Sequence, residues 1–332
     1  MRNELVTVFG GSGFLGRHTV RALARAGYRI RVAVRRPHAG FFLKPAGTVG
    51  QIQVVKANVD DAEQVARAVA GAHIVINLTG LMFSRGAQNF TAIHDQGAGT
   101  VAKAAADAGA ARLIHISAIG ADADSDSDSA YARTKAEGER RVREAFPGAT
   151  ILRPSLLFGP EDSFFNKFAN LARYAPALPL IGGGHTKFQP AFVGDVAAAI
   201  VRCTEGGAGQ AYELGGPTIY SFKELMRIVL HETCRKRLLV PLPFFVGSIL
   251  AFGLTTFSLL LFFLPVASTP LLTPDQVRLL KHDNIASGDG FAALGINPTS
   301  LEAEVPNYLW RYRPRGQFQD SAAERAVGSP SN

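Results

Sequence analysis

The sequence predicts a doubly wound α/β protein, in which helices flank both faces of a parallel β-sheet. Short apolar runs alternate with amphipathic stretches from residue 5 to residue 159. The first apolar run leads directly into a glycine-rich turn and then into a helix. This alternation is typical of parallel strands joined by right-handed crossovers, so it indicates one twisted parallel sheet.

The elements can be assigned in chain order from apolar runs, amphipathic periods and glycine stops. A short apolar run reads as a buried parallel strand, and the predicted strands cover residues 5–9, 28–36, 52–59, 73–80, 112–118 and 149–159. The first helix is amphipathic and stops at Gly27. The predicted helices cover residues 17–27, 60–71, 100–110, 131–146, 165–175 and 193–205.

The regular alternation loosens after Gly159, which predicts a change of domain. We expect a dinucleotide-binding domain at 1–155 and a smaller C-terminal domain at 156–316 that covers the carboxyl edge of the sheet. The last residues, 317–332, are polar and small and are expected to form a flexible tail. The smaller domain contains an uncharged segment at 238–274.

Net charge and cysteine content indicate which kinds of partner and metal site to expect. The 332 residues carry a formal net charge of +8, which favours anionic partners such as nucleotide phosphates or acidic lipid headgroups. There is no long Lys/Arg block, so we do not expect a nucleic-acid partner. Cys203 and Cys234 lack metal-ligand spacing, which predicts no metal site and a reducing compartment. The N-terminus leads directly into a strand, so no cleavable targeting segment is expected.

A glycine array follows the first strand. Gly10, Gly13 and Gly16 form the pattern GxxGxxG where a helix begins. The first glycine permits a tight turn, the second lets the backbone approach a pyrophosphate, and the third lets helix pack on strand. The helix N-terminus then faces the phosphate charge. The alternative is a purely structural glycine turn, but the strand and helix on either side favour a dinucleotide site.

Two arginines stand where the second strand ends. An acidic residue at this point would bind a ribose 2′-hydroxyl, whereas Arg35 and Arg36 offer donors and charge to a 2′-phosphate. The pattern therefore points to NADP(H); the alternative is two solvated arginines. The third and fourth strands end where the adenine and ribose edges would lie, at Asn58 and Val59 and at Leu78, Thr79 and Gly80.

A tyrosine and a lysine share one face of a later predicted helix. Tyr131 and Lys135 are four residues apart, and a lysine ammonium beside a phenol favours the phenolate. The YxxxK pattern alone is a common accident, and a helical tyrosine is more often a packing residue. Beside a dinucleotide turn, the pair becomes a candidate acid–base and ribose-binding pair.

With these motifs, the sequence resembles the short-chain dehydrogenase/reductase superfamily in its extended and atypical branch. The resemblance rests on GxxGxxG, on YxxxK and on "RPSLLFGP" from Arg153, and it covers most of residues 1 to about 230. It implies nucleotide contacts from Gly10, Ser12, Gly13, Phe14, Leu15, Gly16, Arg35, Arg36, Asn58, Val59, Leu78, Thr79, Gly80, Ser117, Tyr131, Lys135 and Pro154.

The resemblance also implies a catalytic set that is incomplete here. Catalytic members place a Ser or Thr at the end of the fifth strand, and that position falls near Ala118 or Ile119. Ser117 stands one or two residues early and is the available substitute. No catalytic Asn is evident, because "IHDQGAG" occupies the expected region. Positioned donors of this kind supply on the order of 3 kcal/mol, so turnover should be impaired.

In further stretches the sequence more specifically resembles the nucleotide-binding accessory subunits of respiratory complex I and their alphaproteobacterial relatives. It spans nearly the whole chain, and its most specific stretches are "SAYARTKAEGE" and "LTPDQVRLLKHDN". It implies tightly held NADPH, no established turnover and a position beside the junction of the peripheral and membrane arms. Other complex I subunits are the implied partners, on the cytoplasmic face of a bacterial inner membrane.

The hydrophobicity of the uncharged segment supports a position beside the membrane independently of the resemblance. Its centre, 244–266, is long enough to span a bilayer, but Gly247, Gly253 and Pro265 are expected to break it. We therefore expect a broken helical pair lying against lipid or a membrane subunit, with Arg235, Lys236 and Arg237 near anionic headgroups. The alternatives are a buried hydrophobic hairpin and a full membrane span.

Three functions remain open at this point. The first is a non-catalytic NADPH-containing subunit of complex I, and the second is an NADP-dependent reductase or epimerase acting on a lipid-like substrate. The third is a sensor that reports NADPH by binding alone. The acidic stretch 122–129 would repel an anionic substrate, although a solvated loop ending in a Ser129 helix cap is the preferred interpretation.

Overall fold

The computed structural model divides into two compact units, and the chain passes from one to the other several times, so that each unit consists of three segments. It describes residues 2–84, 86, 88–121, 129–260 and 272–318, without the side chains of 257–260. The first unit comprises Met1–Ser155, Val193–Gly215 and Ala286–Pro298. The second comprises Leu156–Phe192, Gly216–Ile285 and Thr299–Asn332. Two stretches that the sequence assigns to the smaller domain therefore lie in the first unit.

Strands and helices alternate along the first half of the described chain. The strands are β1 Leu5–Phe9, β2 Arg29–Val34, β3 Ile52–Lys56, β4 Ile74–Asn77, β5 Arg112–Ile116, β6 Thr150–Pro154, β7 Leu157–Phe158, β8 Ala177–Ile181, β9 Lys187–Phe188, β10 Ala191–Phe192, β11 Ala211–Leu214, β12 Tyr220–Ser221 and β13 Leu238–Leu242. The helices are α1 Phe14–Arg25, α2 Ala62–Val69, α3 Gly97–Asp107, α4 Ala130–Ala145, α5 Phe164–Tyr174, α6 Val193–Cys203, α7 Phe222–Glu232, α8 Phe244–Leu260, α9 Pro274–Leu279, α10 Gly290–Ala293, α11 Leu301–Glu304 and α12 Pro306–Leu309. A 3₁₀ segment covers Pro37–Ala46, and a π-helical turn covers Thr91–Gln96.

The first unit is built on a seven-stranded sheet whose strands all run parallel. Their order is β11–β6–β5–β4–β1–β2–β3. The predicted fold class is confirmed. The order reverses between β1 and β4, because β2 and β3 lie on the far side of β1. At such a reversal the connections that follow the two strands lead away in opposite directions and leave a crevice beyond the carboxyl ends, which is where ligands bind in folds of this class.

Burial and capping explain why this part of the chain adopts the sheet and its helices. Val8, Ile76 and Ile114, in β1, β4 and β5, are fully buried, as expected for strands covered on both faces. Helix α4 begins after Ser129, whose hydroxyl accepts the backbone N–H of Ala132. The predicted Ser129 cap is confirmed.

A glycine on α4 sets how closely this helix approaches the π-helical turn. A Cβ atom at Gly138 would overlap the backbone carbonyl oxygen of His94. We therefore expect Gly138→Ala to lower the free energy of unfolding by about 3 kcal/mol, because a backbone atom cannot move aside as a flexible side chain can. Denaturant titration measures this. Gly148→Ala is the control, since its Cβ would meet only the Phe146 ring at 3.7 Å; equal losses in both variants would contradict the packing argument.

The second unit combines short strand pairs with helices around an aromatic core. Strands β7 and β10 pair in parallel, as do β8 and β13, whereas β9 and β12 are antiparallel. Phe158, Phe165 and Phe222 are buried in this core. Helix α7 begins with a reciprocal cap, in which Ser221 and Glu224 each bond the other's backbone.

The apolar segment begins as strand β13 and helix α8. The predicted interruption at Gly247 and Gly253 is wrong, because α8 runs through both positions. Gly247 serves close packing instead: a Cβ atom there would lie 3.0 Å from Ile181. A glycine in an apolar helix can therefore mark a close contact as well as a break.

Helix α8 is apolar on two opposite faces. Ala251 is fully buried in a cluster with Ile181 and Val277 of the same unit, on the same side of the helix as Gly247. On the other side, Phe245, Ile249 and Phe252 are 68%, 69% and 68% exposed. An exposed row of large apolar side chains is characteristic of an interaction surface.

Three predicted features fall wholly or partly outside the described residues. These are the part of the predicted helical pair at 261–271, with the break predicted at Pro265, the acidic loop at 122–128, and the tail from residue 319 onward. Among the described helices, none combines the length and the hydropathy that crossing a membrane requires.

Candidate functional site

A cavity of about 200 Å³ opens at the carboxyl edge of the sheet, at the reversal of strand order between β1 and β4. It lies between the ends of β1, β2, β3 and β4. Nine of the predicted nucleotide residues line it: Gly10, Ser12, Gly13, Arg35, Asn58, Val59, Leu78, Thr79 and Gly80. Parallel strands bring these residues together although they are spread over 71 positions of the chain.

The other eight predicted residues do not line the cavity. Three of them form the first turn of α1: Phe14, Leu15 and Gly16. Arg36 is exposed just beyond β2. The remaining four are Ser117 after β5, Tyr131 and Lys135 on α4, and Pro154 at the end of β6.

The glycine turn has the geometry that a pyrophosphate site requires. Gly10 has φ +75°, and a Cβ atom there would lie 2.9 Å from the carbonyl oxygen of Leu78. A Cβ atom at Gly16 would overlap the carbonyl oxygen of Gly10. Gly13 precedes α1, and no side chain caps the first turn of that helix. The Gly13 N–H donates to the Gly10 carbonyl oxygen at 3.0 Å, so the N–H groups of the first turn of α1 are the ones left to an anion.

The far end of the cavity carries an acceptor suited to adenine. Asn58 follows β3, and its Oδ1 atom is buried without a hydrogen-bond partner among the described residues. Its Nδ2 group faces the Asp60 carboxylate at 3.4 Å. Buried polar atoms are rarely left unpaired. The exocyclic amine of adenine is a donor that would satisfy this oxygen, so the residues present fit a bound dinucleotide.

A polar chain crosses the mouth of the cavity. Arg35 Nη1 donates to the Gln88 side-chain oxygen, and Gln88 Nε2 donates to Asp60 at 3.4 Å. Sequence reasoning missed Gln88, which lies in an irregular stretch after β4 and carries no motif. Arg35 keeps further guanidinium donors for a phosphate, because it presents five N–H groups in total.

Tyr131 stands in a small aromatic cluster beside this cavity. Its ring meets His94 edge-on at 5.2 Å between centroids and Phe90 edge-on at 5.9 Å. Phe90 and His94 stack on each other at 5.3 Å. Edge-to-face contacts restrict the orientation of the phenol ring. The half-buried tyrosine is therefore held in place by its neighbours.

Lys135 lies one helical turn beyond Tyr131 and is almost fully buried. Its Nζ atom donates to the carbonyl oxygen of Ile116 at 3.0 Å. Burial lowers the pKa of Lys135 to about 8, with the Glu139 carboxylate opposing the shift. The ammonium therefore remains mostly charged at neutral pH. A Cβ atom at Gly80 would lie 3.7 Å from Nζ, so the charge stands directly behind the cavity wall.

His94 is a second residue that sequence reasoning missed. Its Nε2 atom accepts the backbone N–H of Leu81 at 2.8 Å, and Nδ1 lies 3.3 Å from the Thr134 hydroxyl. Burial, followed by the charge of Lys135, lowers the pKa of His94 to about 2, so the imidazole is neutral. The residue lies in "IHDQGAG", where only a missing Asn drew attention. Nothing local in the sequence indicates its contact with Tyr131.

Two polar atoms at the end of β5 are buried without partners among the described residues. They are Ser117 Oγ and His115 Nε2. Burial, followed by the charge of Lys135, lowers the pKa of His115 to about 3. The Asn77 amide nitrogen faces the Nδ1 atom of this neutral ring at 3.3 Å. A buried edge with unpaired groups beside an ammonium is suited to a polar ligand or an internal water.

Tyr131 and Lys135 on α4 are of the residue types that transfer a proton, but few hydrogen-bond donors stand beside them. Ala118 and Ile119 follow Ser117 and provide no hydroxyl. Among the described residues, no group of three or more His, Cys, Asp or Glu side chains could hold a metal ion. The site is therefore better suited to binding a dinucleotide than to catalysis, because the glycine turn, Arg35 and Asn58 are all in place around the cavity.

A family model described as "NAD dependent epimerase/dehydratase family" matches residues 6–215, which include the sheet, the glycine turn and α4. The chain belongs to this family. The resemblance to extended short-chain dehydrogenases/reductases is thereby confirmed, and so is a nicotinamide dinucleotide as the family's class of cofactor.

Two curated relatives show where within this family the similarity is strong. The chain is 34% identical over 317 residues to subunit 9 of the mitochondrial NADH dehydrogenase (ubiquinone) 1 alpha subcomplex of Mus musculus, covering 93% of this chain and 80% of that protein. It is 34% identical over 241 residues to the ceramide reductase of Caulobacter vibrioides, covering 72% and 74%. The stated resemblance to the complex I accessory subunits is confirmed.

A solved structure shows the same fold at lower identity. The NADPH-dependent quinone oxidoreductase of Escherichia coli, complexed with NADPH, superposes with a TM-score of 0.72 at 20% identity. The match covers 92% of this chain and 99% of that one. At this identity the similarity supports the fold alone.

Proposed function

We propose that this chain is an NADPH-holding accessory subunit of respiratory complex I without turnover of its own. The observation that carries the proposal is the 34% identity over 93% of the chain to the mouse alpha subcomplex subunit. The subunit would stabilise the junction of the peripheral and membrane arms, on the cytoplasmic face of a bacterial inner membrane. Other subunits of the complex are its partners.

Arg35 supports the choice of NADPH over NADH. It lines the cavity at the end of β2, Arg36 is exposed beside it, and no carboxylate occupies this strand end to accept a 2′-hydroxyl. A guanidinium pairs with a phosphate through several charge-assisted hydrogen bonds. The glycine turn would hold the pyrophosphate, and Asn58 Oδ1 would accept from the adenine amine.

The residues near the expected nicotinamide position support holding over turnover. When bound, NADPH supplies a hydride donor. Lys135 would bind ribose hydroxyls through its remaining ammonium protons, and Tyr131 would lie against the nicotinamide ribose in its fixed orientation. Ser117 is the available oxygen-holding hydroxyl, but it is 3% exposed and precedes the position where the family places that group. A substrate oxygen would therefore lack a positioned donor.

The exposed face of α8 supports contact with a membrane surface. Phe245, Ile249 and Phe252 project from one side of the helix. Lys236 is exposed just before β13, whereas Arg235 and Arg237 donate to the backbone carbonyls of Tyr312 and Ala172 within the second unit. An apolar face beside cations is the arrangement of an interfacial helix on an anionic leaflet. The two arginines would contribute long-range charge while they anchor the strand.

Tyr131→Phe tests the absence of turnover. Under this proposal the variant assembles into the complex and leaves its NADH:quinone activity within about 20% of wild type, because removing one hydroxyl from a ribose contact costs only about 1 kcal/mol of nucleotide binding. Respiratory activity of purified membranes and the NADPH content of the complex are measured. Tyr212→Phe removes a phenol hydroxyl elsewhere in the first unit and is the control.

The alternative is a reductase, and the similarity to the ceramide reductase is the observation that favours it. In that case Tyr131 is the proton donor, Lys135 orients the ribose, and Ser117 holds the carbonyl oxygen of a lipid-like substrate. Tyr131→Phe would then lower the rate of NADPH oxidation by such a substrate by a factor of about 100 or more. NADPH oxidation by the purified wild-type chain with a long-chain ketone would contradict the accessory role.

A further inference from the structure

The surplus of positive charge in this chain is concentrated in one stretch of the first unit. Residues 5–59 contain nine Lys or Arg side chains and no Asp or Glu. The whole chain has 35 basic and 27 acidic side chains, so the residues outside this stretch have 26 and 27 and are nearly neutral. The proposed function uses two of the nine, Arg35 and Arg36. A third, Arg31, donates to the backbone carbonyl oxygens of Ala68 and Ala70, and the other six are not used by the proposed nucleotide contacts.

Part of this stretch presents aromatic side chains on a fixed support. The 3₁₀ segment Pro37–Ala46 is anchored by Leu43, which is fully buried. Phe41 and Phe42 directly precede this anchor and remain 49% and 46% exposed. Two adjacent, half-exposed phenylalanines on an anchored segment mark an interaction surface more strongly than scattered apolar residues do.

Cations lie over both rings. The Lys44 ammonium is 4.8 Å from the centroid of Phe41, and the Arg17 guanidinium carbon is 5.2 Å from that of Phe42. Arg21 follows Arg17 by one turn of α1 and shares its side of the helix. Neither Arg21 nor Lys44 forms an ion pair with a carboxylate among the described residues. These five side chains are called the basic–aromatic patch below.

We infer that the basic–aromatic patch docks against an acidic surface of another protein. Guanidinium and ammonium groups backed by aromatic rings pair well with carboxylates, and Arg and Phe are enriched in protein interfaces. An anionic bilayer is a poorer match, because rings covered by cations cannot enter hydrocarbon without carrying charge with them. Arg21 and Lys44 do not line the nucleotide cavity, so the dinucleotide does not account for them. The inference rests on the proposed function only in naming that protein as a complex I subunit.

Photo-crosslinking in native membranes identifies what covers the patch. The full chain carrying Phe42→p-benzoylphenylalanine is expressed in its own host, illuminated and purified in detergent, and the crosslinked peptides are sequenced. We expect the label to join an Asp/Glu-rich segment of a second polypeptide. The same label at Phe318, which is 85% exposed in the second unit, is the control and should not join that segment.

Charge reversal tests whether the cations of the patch contribute to docking. Arg21→Glu combined with Lys44→Glu should reduce the fraction of chain retained with the identified polypeptide about tenfold at 0.15 M salt, while wild type loses retention only at higher salt. The Kd for NADPH should stay within about twofold of wild type, a difference of no more than about 0.4 kcal/mol. Arg143→Glu with Lys281→Glu makes the same change of net charge away from the patch and should be retained like wild type.

Each outcome decides for or against the inference. A crosslink to an acidic segment together with selective loss in the patch variant supports it. Crosslinks to lipid or nucleic acid alone, the absence of any crosslink at Phe42, equal retention of both charge variants, or a large loss of NADPH affinity in the patch variant would overturn it. If the crosslinked protein is acidic but lies outside the respiratory complex, the proposed function fails while the docking surface stands.

Discussion

Arg35→Glu should raise the Kd for NADPH about 100-fold and leave the Kd for NADH within about threefold of wild type. The substitution removes charge-assisted hydrogen bonds to the 2′-phosphate, worth about 1.5–3 kcal/mol, and adds a repelling carboxylate. NADH lacks that phosphate and should tolerate the change, since a carboxylate at this position can accept from the 2′-hydroxyl. Titration calorimetry with both nucleotides measures the two constants.

Arg29→Glu is the matched control for this substitution. Arg29 is the first residue of β2, Arg35 directly follows the last, and both are exposed. It stands at the opposite edge of the sheet, roughly 20 Å away at 3.3 Å per residue. If both variants weaken NADPH equally, the effect is one of general charge and the assignment of Arg35 to the 2′-phosphate is wrong.

Phe245→Ser combined with Phe252→Ser should lower binding to vesicles that contain anionic lipid about 100-fold. The two rings lie seven residues apart on the exposed side of α8, and each is 68% exposed. Burying a phenylalanine side chain contributes about 1.5–3 kcal/mol, so losing two large exposed faces removes roughly 3 kcal/mol of transfer free energy. Co-sedimentation of the purified full chain with vesicles gives the partition coefficient.

Ile219→Ser combined with Phe318→Ser provides the comparison for the apolar face. Both residues belong to the second unit and are 48% and 85% exposed, but neither is on α8. We expect this variant to bind vesicles like wild type. Equal losses in the two double variants would mean that the interaction is not specific to the face of α8. If the wild type does not bind the vesicles either, the proposed membrane contact is wrong.

The first half of the sheet could be predicted because its signals are local. Leu5–Phe9 is an uninterrupted apolar run, and the glycines after it permit only a tight turn before a helix. Once several such units are recognised, their parallel pairing follows from the handedness of crossovers. The same geometry explains why Gly10, Asn58 and Gly80 meet at one cavity although they are far apart in the chain.

Most strands of the second unit could not be predicted from the sequence, because they are very short. β7, β9, β10 and β12 are two residues long, so no alternation of polar and apolar side chains can indicate them. Their pairing depends on tertiary packing around the phenylalanine core. Gly247 shows the same difficulty, because a close contact with Ile181 and a helix break have the same appearance in a sequence.

At the site, motif residues could be predicted and supporting residues could not. Tyr131 and Lys135 were identified by spacing on one helix. His94 and Gln88 act through contacts with elements distant in sequence, the first with Tyr131 and the second with Arg35. No spacing rule links these pairs, since each contact exists only after the sheet has brought the strand ends together.

The central claim is that this chain carries NADPH as a resident of a membrane-bound respiratory assembly. The most direct measurement is to purify the native protein from detergent-solubilised membranes, identify its companions by mass spectrometry and quantify the nucleotide released on denaturation. We expect complex I subunits among the companions and close to one NADPH per chain. A chain recovered alone and free of nucleotide would contradict it.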